Sequence, residues 1–507
     1  MVVLLAVGLL LCMVGFGLYA WQVNMRGERA VKEVANQLDT RGLLGLYTES
    51  LSGNDENGFT AVEAGTSAAY WRAAIALTPE AGDRPLPAVA IVAYTGTEPR
   101  QQYHPDVIAA MREAVSESAL FYELVDRAKH AKQGPFLPQD AIEEFEANLG
   151  LLGDSRQVAR WMQVRAALAE AEGDGQAFID AYTAILAFND NLQALPNVID
   201  ELVRISVDAL VREGVAEGLS RLTLSAQQID VLLAAIEQRR SRYNASTFLG
   251  MALSAEYHTV TNRVQSRIRL TEAKQAIVLQ NLPAMIESFL SMPDEPGMIE
   301  RLWDDALLSC APGRYELRHA SEMTRSLEEY DQIVALNGKP GQLWETMTQL
   351  AEKRDADEGD ISVFDSRGYS ANFMTALKTI VRAESRLIAM TAALKVERYR
   401  VANGHWPDSL EDAIGEKPRD AYGQALGYRK TNEGIIVYSE GDNRQDEKGY
   451  NDREYIGSDQ FPDADDFPVI LYNPELRNAR PPPEKAVEDY DDWSDFELEL
   501  FGLDEKE

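Results

Sequence analysis

The sequence predicts a mainly α protein with a small β part (α+β). It would carry an N-terminal transmembrane helix, a helical-bundle or solenoid-like body, and a small C-terminal α+β module with a long spine helix and a short antiparallel sheet. Three observations lead there. Residues 2–21, VVLLAVGLLLCMVGFGLYAW, carry no charge and are long enough to cross a bilayer as a helix. From about 137 to 350, apolar residues recur at helical spacing between short polar breaks,. From 373 to 401 one apolar stripe runs without interruption, and three short β-type segments follow it.

Bulk composition narrows the function classes. A chain of 507 residues exceeds one ordinary core,. Its formal net charge of −33 leaves no clustered Lys and Arg to neutralise phosphates, which argues against nucleic acid as a partner,. The two cysteines, Cys12 and Cys310, lie far apart in sequence, which makes an internal disulfide improbable,. The five histidines (His104, His130, His258, His319, His405) are scattered, with no metal-binding spacing among them,.

The elements follow in order. Residues 1–21 read as an uncleaved anchor, with Tyr19 and Trp21 at one interface. A cleaved signal peptide fits less well, because no basic segment precedes the apolar run and Leu18-Tyr19-Ala20 is a poor cleavage site,. Arg26, Arg29 and Lys32 follow the span, and by the positive-inside rule alone they would hold the body in the cytoplasm. Residues 22–135 form a mixed membrane-proximal region. It contains a polar helix over 22–40, a loop at 51–58, a helical AAYWRAAIAL, a short apolar strand at 86–94, and one helix from His104 to Ala131 with Val107, Met111, Val115, Leu120 and Leu124 on its apolar face.

A helical body spans 136–353. Within it, ALAEAEGDGQAFIDAYTAILAFN (167–189) has the small-residue helix, tight turn and aromatic second helix of a tetratricopeptide-like hairpin, although no 34-residue period repeats it,. An acidic linker covers 354–370. The module, 371–475, opens with a spine helix whose Phe373, Ile380, Leu387, Leu394 and Val401 fall seven apart, with Ala376, Ala383 and Met390 between them,. About thirty residues of helix make a rod about 45 Å long.

ERYRVANGHWPDSLED (397–412) closes that helix and starts another. Asn403 and Gly404 suit a left-handed cap, and Pro407 prevents continuation. Asp408 and Glu411 read as a capping box. His405 and Asp408 have no nucleophile or third group nearby, so ordinary capping accounts for the stretch without catalysis. Segments 425–430, 435–439 and 469–472 read as strands.

These residues carry a family resemblance. Tyr399, Asn403, Gly404 and Pro407 resemble the corner that ends the spine helix in the globular domain of the type II secretion major pseudopilin. Asp420 and Gly423, with Tyr422 in place of a Trp, are similar to its next turn. Tyr438, Ser439, Gly441 and Asp442 are similar to the opening of its last loop. The match covers roughly a fifth of the chain. The chain as a whole resembles single-pass bacterial envelope proteins carrying such a module. The resemblance implies export, and with it an inner-membrane location with the body on the periplasmic side. It also implies calcium in the acidic loop, for which Asp442, Asn443, Asp446, Asn451 and Asp452 are the candidate ligands, with Asp459, Asp463, Asp465 and Asp466 further along.

Residues 476–507 form a Pro-rich spacer and an acidic tail. In that tail Tyr490, Trp493, Phe496, Leu498, Leu500 and Phe501 interleave with carboxylates, a pattern suited to docking on a basic, apolar protein groove,. Three function classes stay open: a membrane-anchored envelope scaffold or assembly protein linked to secretion-type machinery, a tetratricopeptide-like adaptor that binds peptides, and an exported hydrolase. No catalytic or organic-cofactor motif favours the last.

Overall fold

The computed structural model describes residues 66–77, 100–131, 145–191, 198–241, 313–336, 339–357, 373–449 and 466–483, most of 25–43, and a few isolated positions between them. In chain order the helices are α1 (Ser67–Leu77), α2 (Pro105–Glu117), α3 (Ala119–His130), α4 (Phe145–Glu172), α5 (Gly175–Asn191), α6 (Val198–Arg221), α7 (Ala226–Arg240), α8 (Gly313–Ala335), α9 (Pro340–Asp357), α10 (Phe373–Asn403) and α11 (Leu410–Ile414). The strands are β1 (Gly427–Lys430), β2 (Gly434–Ser439) and β3 (Phe467–Tyr472). The protein is therefore mainly α with one small antiparallel sheet.

The chain divides into two compact units. The first comprises Met1–Ser50, Ser246–Asn337 and Thr348–Phe373. Within it, α8 buries Ala320, Met323, Leu327 and Ile333, and a helix over 29–40 buries Val34 and Leu38. Arg41 grips Asp331 with two parallel hydrogen bonds, of 2.8 and 2.7 Å.

The second unit comprises Leu51–Ala245, Gly338–Met347 and Met374–Glu507. Helices α4 and α5 form a hairpin around Gly173, whose φ of 74° is the left-handed conformation that glycine adopts without strain,. Asp174 starts α5 by accepting from the amides of Gln176 and Ala177, each at 3.0 Å,. Helix α6 can approach α5 closely because it presents Gly218 there; a Cβ at that position would lie 2.3 Å from the Phe178 ring. Trp71, Met111, Met162, Phe178, Tyr182 and Phe188 fill the core between these helices.

The expected single helix from His104 to Ala131 is two helices, broken at Ser118 (φ −97°, ψ 22°). Its buried face also differs from expectation. Val107, Met111, Ala114, Phe121, Tyr122, Val125 and Ala128 point inward, while Leu120 is 57% exposed. The aromatic pair Phe121 and Tyr122 is the larger apolar surface and turns toward Trp161 of α4, with the Tyr122 hydroxyl donating to the Trp161 carbonyl at 2.8 Å,.

Helix α10 is a spine. Leu387, Met390 and Leu394 of the expected stripe are buried, and so are Ala389, Ala392, Ala393 and Val396, which places buried residues on more than one side. Gly404 ends it at φ 78°, and Asn403 donates back to the Tyr399 carbonyl at 2.8 Å,. Trp406 lies 5.3 Å from the Arg400 guanidinium and donates to Asn473 at 2.7 Å. The capping box sits one residue later than expected. Ser409 and Asp412 exchange the side chain–backbone bonds, at 3.2 and 2.9 Å, while Asp408 projects into solvent and meets Lys430. The serine hydroxyl can bend over its own helix start, whereas Asp408 lies one position too early to reach the first free amides.

The sheet has the order β1-β2-β3, antiparallel throughout, with Tyr428 opposite Val437 and Ile436 opposite Ile470. Its central strand β2 is buried along its whole length.

Membrane placement is corrected. Among the described residues, no helix is long and apolar enough to cross a membrane. The predicted span 2–21 itself lies outside the described residues, as do the strand expected at 86–94 and the tail 487–507. The single-pass, inner-membrane and periplasmic expectations all need such a span, and they are not carried further.

Candidate functional site

The loop between β2 and β3 begins as a tight, knotted turn. Gly441, Arg444, Lys448 and Gly449 all have left-handed φ, from 55° to 76°. Non-glycine residues adopt this conformation only when their surroundings hold them there. The holding contacts are visible: Arg444 donates to the Gly341 carbonyl and to Glu345, each at 2.9 Å.

Of the five predicted calcium ligands, Asn451 and Asp452 lie outside the described residues, as do Asp459, Asp463 and Asp465. The other three do not converge. Asp442 turns to Arg382 of α10, whose Nε donates at 2.9 Å. Asn443 donates to Glu447 at 2.7 Å and accepts from the Gln445 amide at 2.8 Å. Asp446 accepts from the Tyr438 hydroxyl at 2.8 Å and from the Lys448 amide at 2.9 Å. Among the described residues, no group of three or more acidic, histidine or cysteine side chains is placed to hold a metal ion.

What the fold does bring together is Glu447 and Asp466, seated at opposite ends of the loop and both buried. Glu447 accepts from Asn443, and Asp466 accepts from the Gly449 amide at 2.6 Å. Each keeps one buried oxygen, Oε2 of Glu447 and Oδ1 of Asp466, with no donor among the described residues. The two carboxyl groups are within hydrogen-bonding reach of each other. Burial, then that contact, then the neighbouring charges of Glu447 and Asp446 push Asp466 up to about 8,. Two ionised carboxylates only accept, so this arrangement needs either a shared proton or a cation. Glu440 beside it is raised as well, by burial first and then by Asp446.

Asp420 supports the loop from below. It accepts from the amides of Tyr422 (3.0 Å) and Gln424 (2.8 Å) and from the Ser439 hydroxyl (2.6 Å), while Ser385 of α10 accepts from the Ala421 amide at 3.1 Å. Trp344 packs edge-on against Tyr422 at 4.8 Å. The turn at Asp420 and the loop opening at Ser439, which look alike only as separate motifs in sequence, are thus one hydrogen-bonded knot.

A second buried acid, Glu397 of α10, is treated in the opposite way. Arg400 donates to its two oxygens at 2.9 and 2.8 Å, and Arg477 at 2.7 and 2.9 Å. Burial alone would raise its pKa, but the bonds from Arg400 and Arg477 hold it below the usual carboxylate range,. Arg477 also donates to the carbonyls of Leu222 and Tyr472, at 2.9 and 3.0 Å. One carboxylate thereby ties the spine helix to the end of β3 and to the end of α6. Nearby, Gln102 and Arg480 pair with Arg480 and Arg100 through backbone bonds of 3.0 Å each.

A third cluster lies among α4, α6 and residues 101–103. Glu170 accepts from the Tyr103 hydroxyl at 2.9 Å and from Arg221 at 3.0 Å, and burial raises it to about 7 despite Arg221. Its other oxygen, Oε1, lies near Gly218 and is buried without a donor among the described residues. His405, by contrast, is exposed and bonded only to the neighbouring Trp406 carbonyl.

Sequence reasoning singled out neither Glu447, one acid among many in EGDNRQDEKG, nor Glu397 of the spine. For the second, the i, i+3 spacing of Glu397 and Arg400 on one helix is the one local signal,. Comparison with protein-family models, with curated proteins and with solved structures gives no match.

Proposed function

We propose that this chain is an interaction and assembly scaffold whose C-terminal module is pseudopilin-like, built into a helical platform and linked to secretion-type machinery. The observation that supports it most is the Glu397 clamp. Buried charges in a catalytic cleft are held where a substrate can meet them, whereas all the bonding capacity of this carboxylate is spent on joining three elements of one unit. The left-handed corner at Gly404, the Asn403–Tyr399 bond and the three-stranded sheet after the spine are consistent with the module's resemblance. The acidic, aromatic tail supplies the contact to protein partners. Affinity purification of the full chain, compared with a chain lacking 484–507, tests this. A defined set of proteins retained by the first and lost from the second is expected; identical recoveries contradict it.

A calcium-binding loop is a second reading, favoured by the unsatisfied oxygens of Glu447 and Asp466. Calcium takes six to eight oxygens on adaptable loops. Here Glu447 and Asp466 would supply the first of them, through the buried oxygens that no described donor answers. When bound, the ion would replace the shared proton and fix the two ends of the loop together. The full chain is the proper subject, because the module shares one compact unit with α1–α7.

A further inference from the structure

A different cluster, where α5, α6 and α7 meet, is short of acceptors. Arg239 of α7 has a side chain only 1% exposed. Its Nε donates to Asp208 of α6 at 2.7 Å, and the Tyr243 hydroxyl donates to the same carboxylate oxygen. The guanidinium also lies 5.0 Å from the Tyr243 ring. Both of its terminal nitrogens, Nη1 and Nη2, are buried with no acceptor among the described residues. Guanidinium does not shed its proton inside proteins, so these donors persist at all working pH values.

Arg204 stands one helical turn before Asp208. Its Nη1 is taken by Glu201, but its buried Nε has no acceptor. It lies within electrostatic reach of Arg239, Asp208 and Tyr243. Asn189 of α5 completes the group: its amide nitrogen donates to Asp208 at 2.6 Å and to the Arg204 carbonyl at 2.9 Å, which orients the amide and leaves its buried Oδ1 without a donor. Neither Glu201 nor Asp208 accepts from these spare donors.

We propose that this cluster is a binding site for a small oxyanion that keeps a proton, of the hydrogen phosphate or bicarbonate class. Such an ion accepts from Arg239 Nη1 and Nη2 and from Arg204 Nε, and donates its own hydroxyl to Asn189 Oδ1. A fully deprotonated carboxylate meets the three donors but not the amide oxygen. Chloride offers no directional match to the guanidinium fork.

The test uses inorganic phosphate and the full chain at constant ionic strength. Thermal unfolding is followed with phosphate, acetate or chloride, and binding is measured by isothermal titration with phosphate. Phosphate is expected to raise the melting temperature above acetate, and acetate above chloride, with saturable heat. Arg239→Lys keeps the charge and the Asp208 partner but removes the fork, and it should lose at least tenfold in phosphate affinity. If Arg239→Lys does not fold, Arg204→Lys serves in its place with the same expectation. An equal response to all three anions, absence of saturable heat, or undiminished phosphate binding in the folded variant overturns the site and leaves ordered water as what meets these donors.

Discussion

Glu397 and the Glu447–Asp466 pair are buried acids in the same unit with opposite fates. Glu397 lies where two arginines reach it from different elements, and four hydrogen bonds keep it ionised. Glu447 and Asp466 meet each other instead, with one unanswered oxygen apiece. Burial is common to both, so burial does not decide the role; the partner does. A carboxylate enclosed by fixed cations is a strut. A pair of carboxylates without one is a place where a proton or a metal ion resides, and its state responds to solution conditions.

The contrast breaks most severely at the strut. Glu397→Ala leaves Arg400 and Arg477 buried without their counter-charge, and should cost about 3–5 kcal/mol. Chemical denaturation monitored by circular dichroism reads this as a lower midpoint. The second unit should loosen as a whole, because Arg477 loses the anchor that ties β3 to α6.

The acid pair should respond in the opposite direction. With calcium in hundredfold excess over its dissociation constant, the full chain gains about 2.7 kcal/mol of stability. Asp466→Asn removes that gain and, without calcium, makes the protein more stable at alkaline pH by relieving the unshared pair. The same melting curves with and without the ion measure both effects.

The pH dependence sharpens this. Asp466 has a folded value raised to about 8, above that of the unfolded chain. Its favourable contribution is therefore complete at low pH and is lost as pH rises toward 8. Calcium displaces the shared proton, so calcium affinity moves the other way, rising about tenfold per pH unit below that value. Titrations in buffers of different ionisation heat should register about one proton released per ion.

The smallest effect tests the corner. Ser409→Ala should cost about 1 kcal/mol through loss of the helix cap. Asp408→Ala should leave the melting midpoint unchanged, since Asp408 projects into solvent. Equal losses would restore the capping box to Asp408 and Glu411.

The elements themselves were largely legible. Seven-residue spacing gave the spine, Asn403-Gly404 gave its end, and the segments 425–430, 435–439 and 469–472 gave the strands. Legibility failed where a local pattern had two registers. Both Asp408/Glu411 and Ser409/Asp412 satisfy the capping rule, and only the backbone path chooses between them. Across Ser118 the apolar spacing continues undisturbed from Ala114 to Phe121, so no periodicity marks the break between α2 and α3. The site was hidden for a different reason. Glu447 lies 19 residues before Asp466, in a stretch crowded with other acids, and which two are buried together depends on where β3 returns. The Glu397–Arg477 clamp spans 80 residues and has no signal shorter than the fold.

The most direct test of the acid pair as the responsive site is calorimetric titration of the full chain with calcium, run beside Asp466→Asn. The account predicts saturable heat with proton release in the unaltered chain and none in the variant, while both remain folded. No heat and no melting shift in the unaltered chain, or equal binding by the variant, would contradict it.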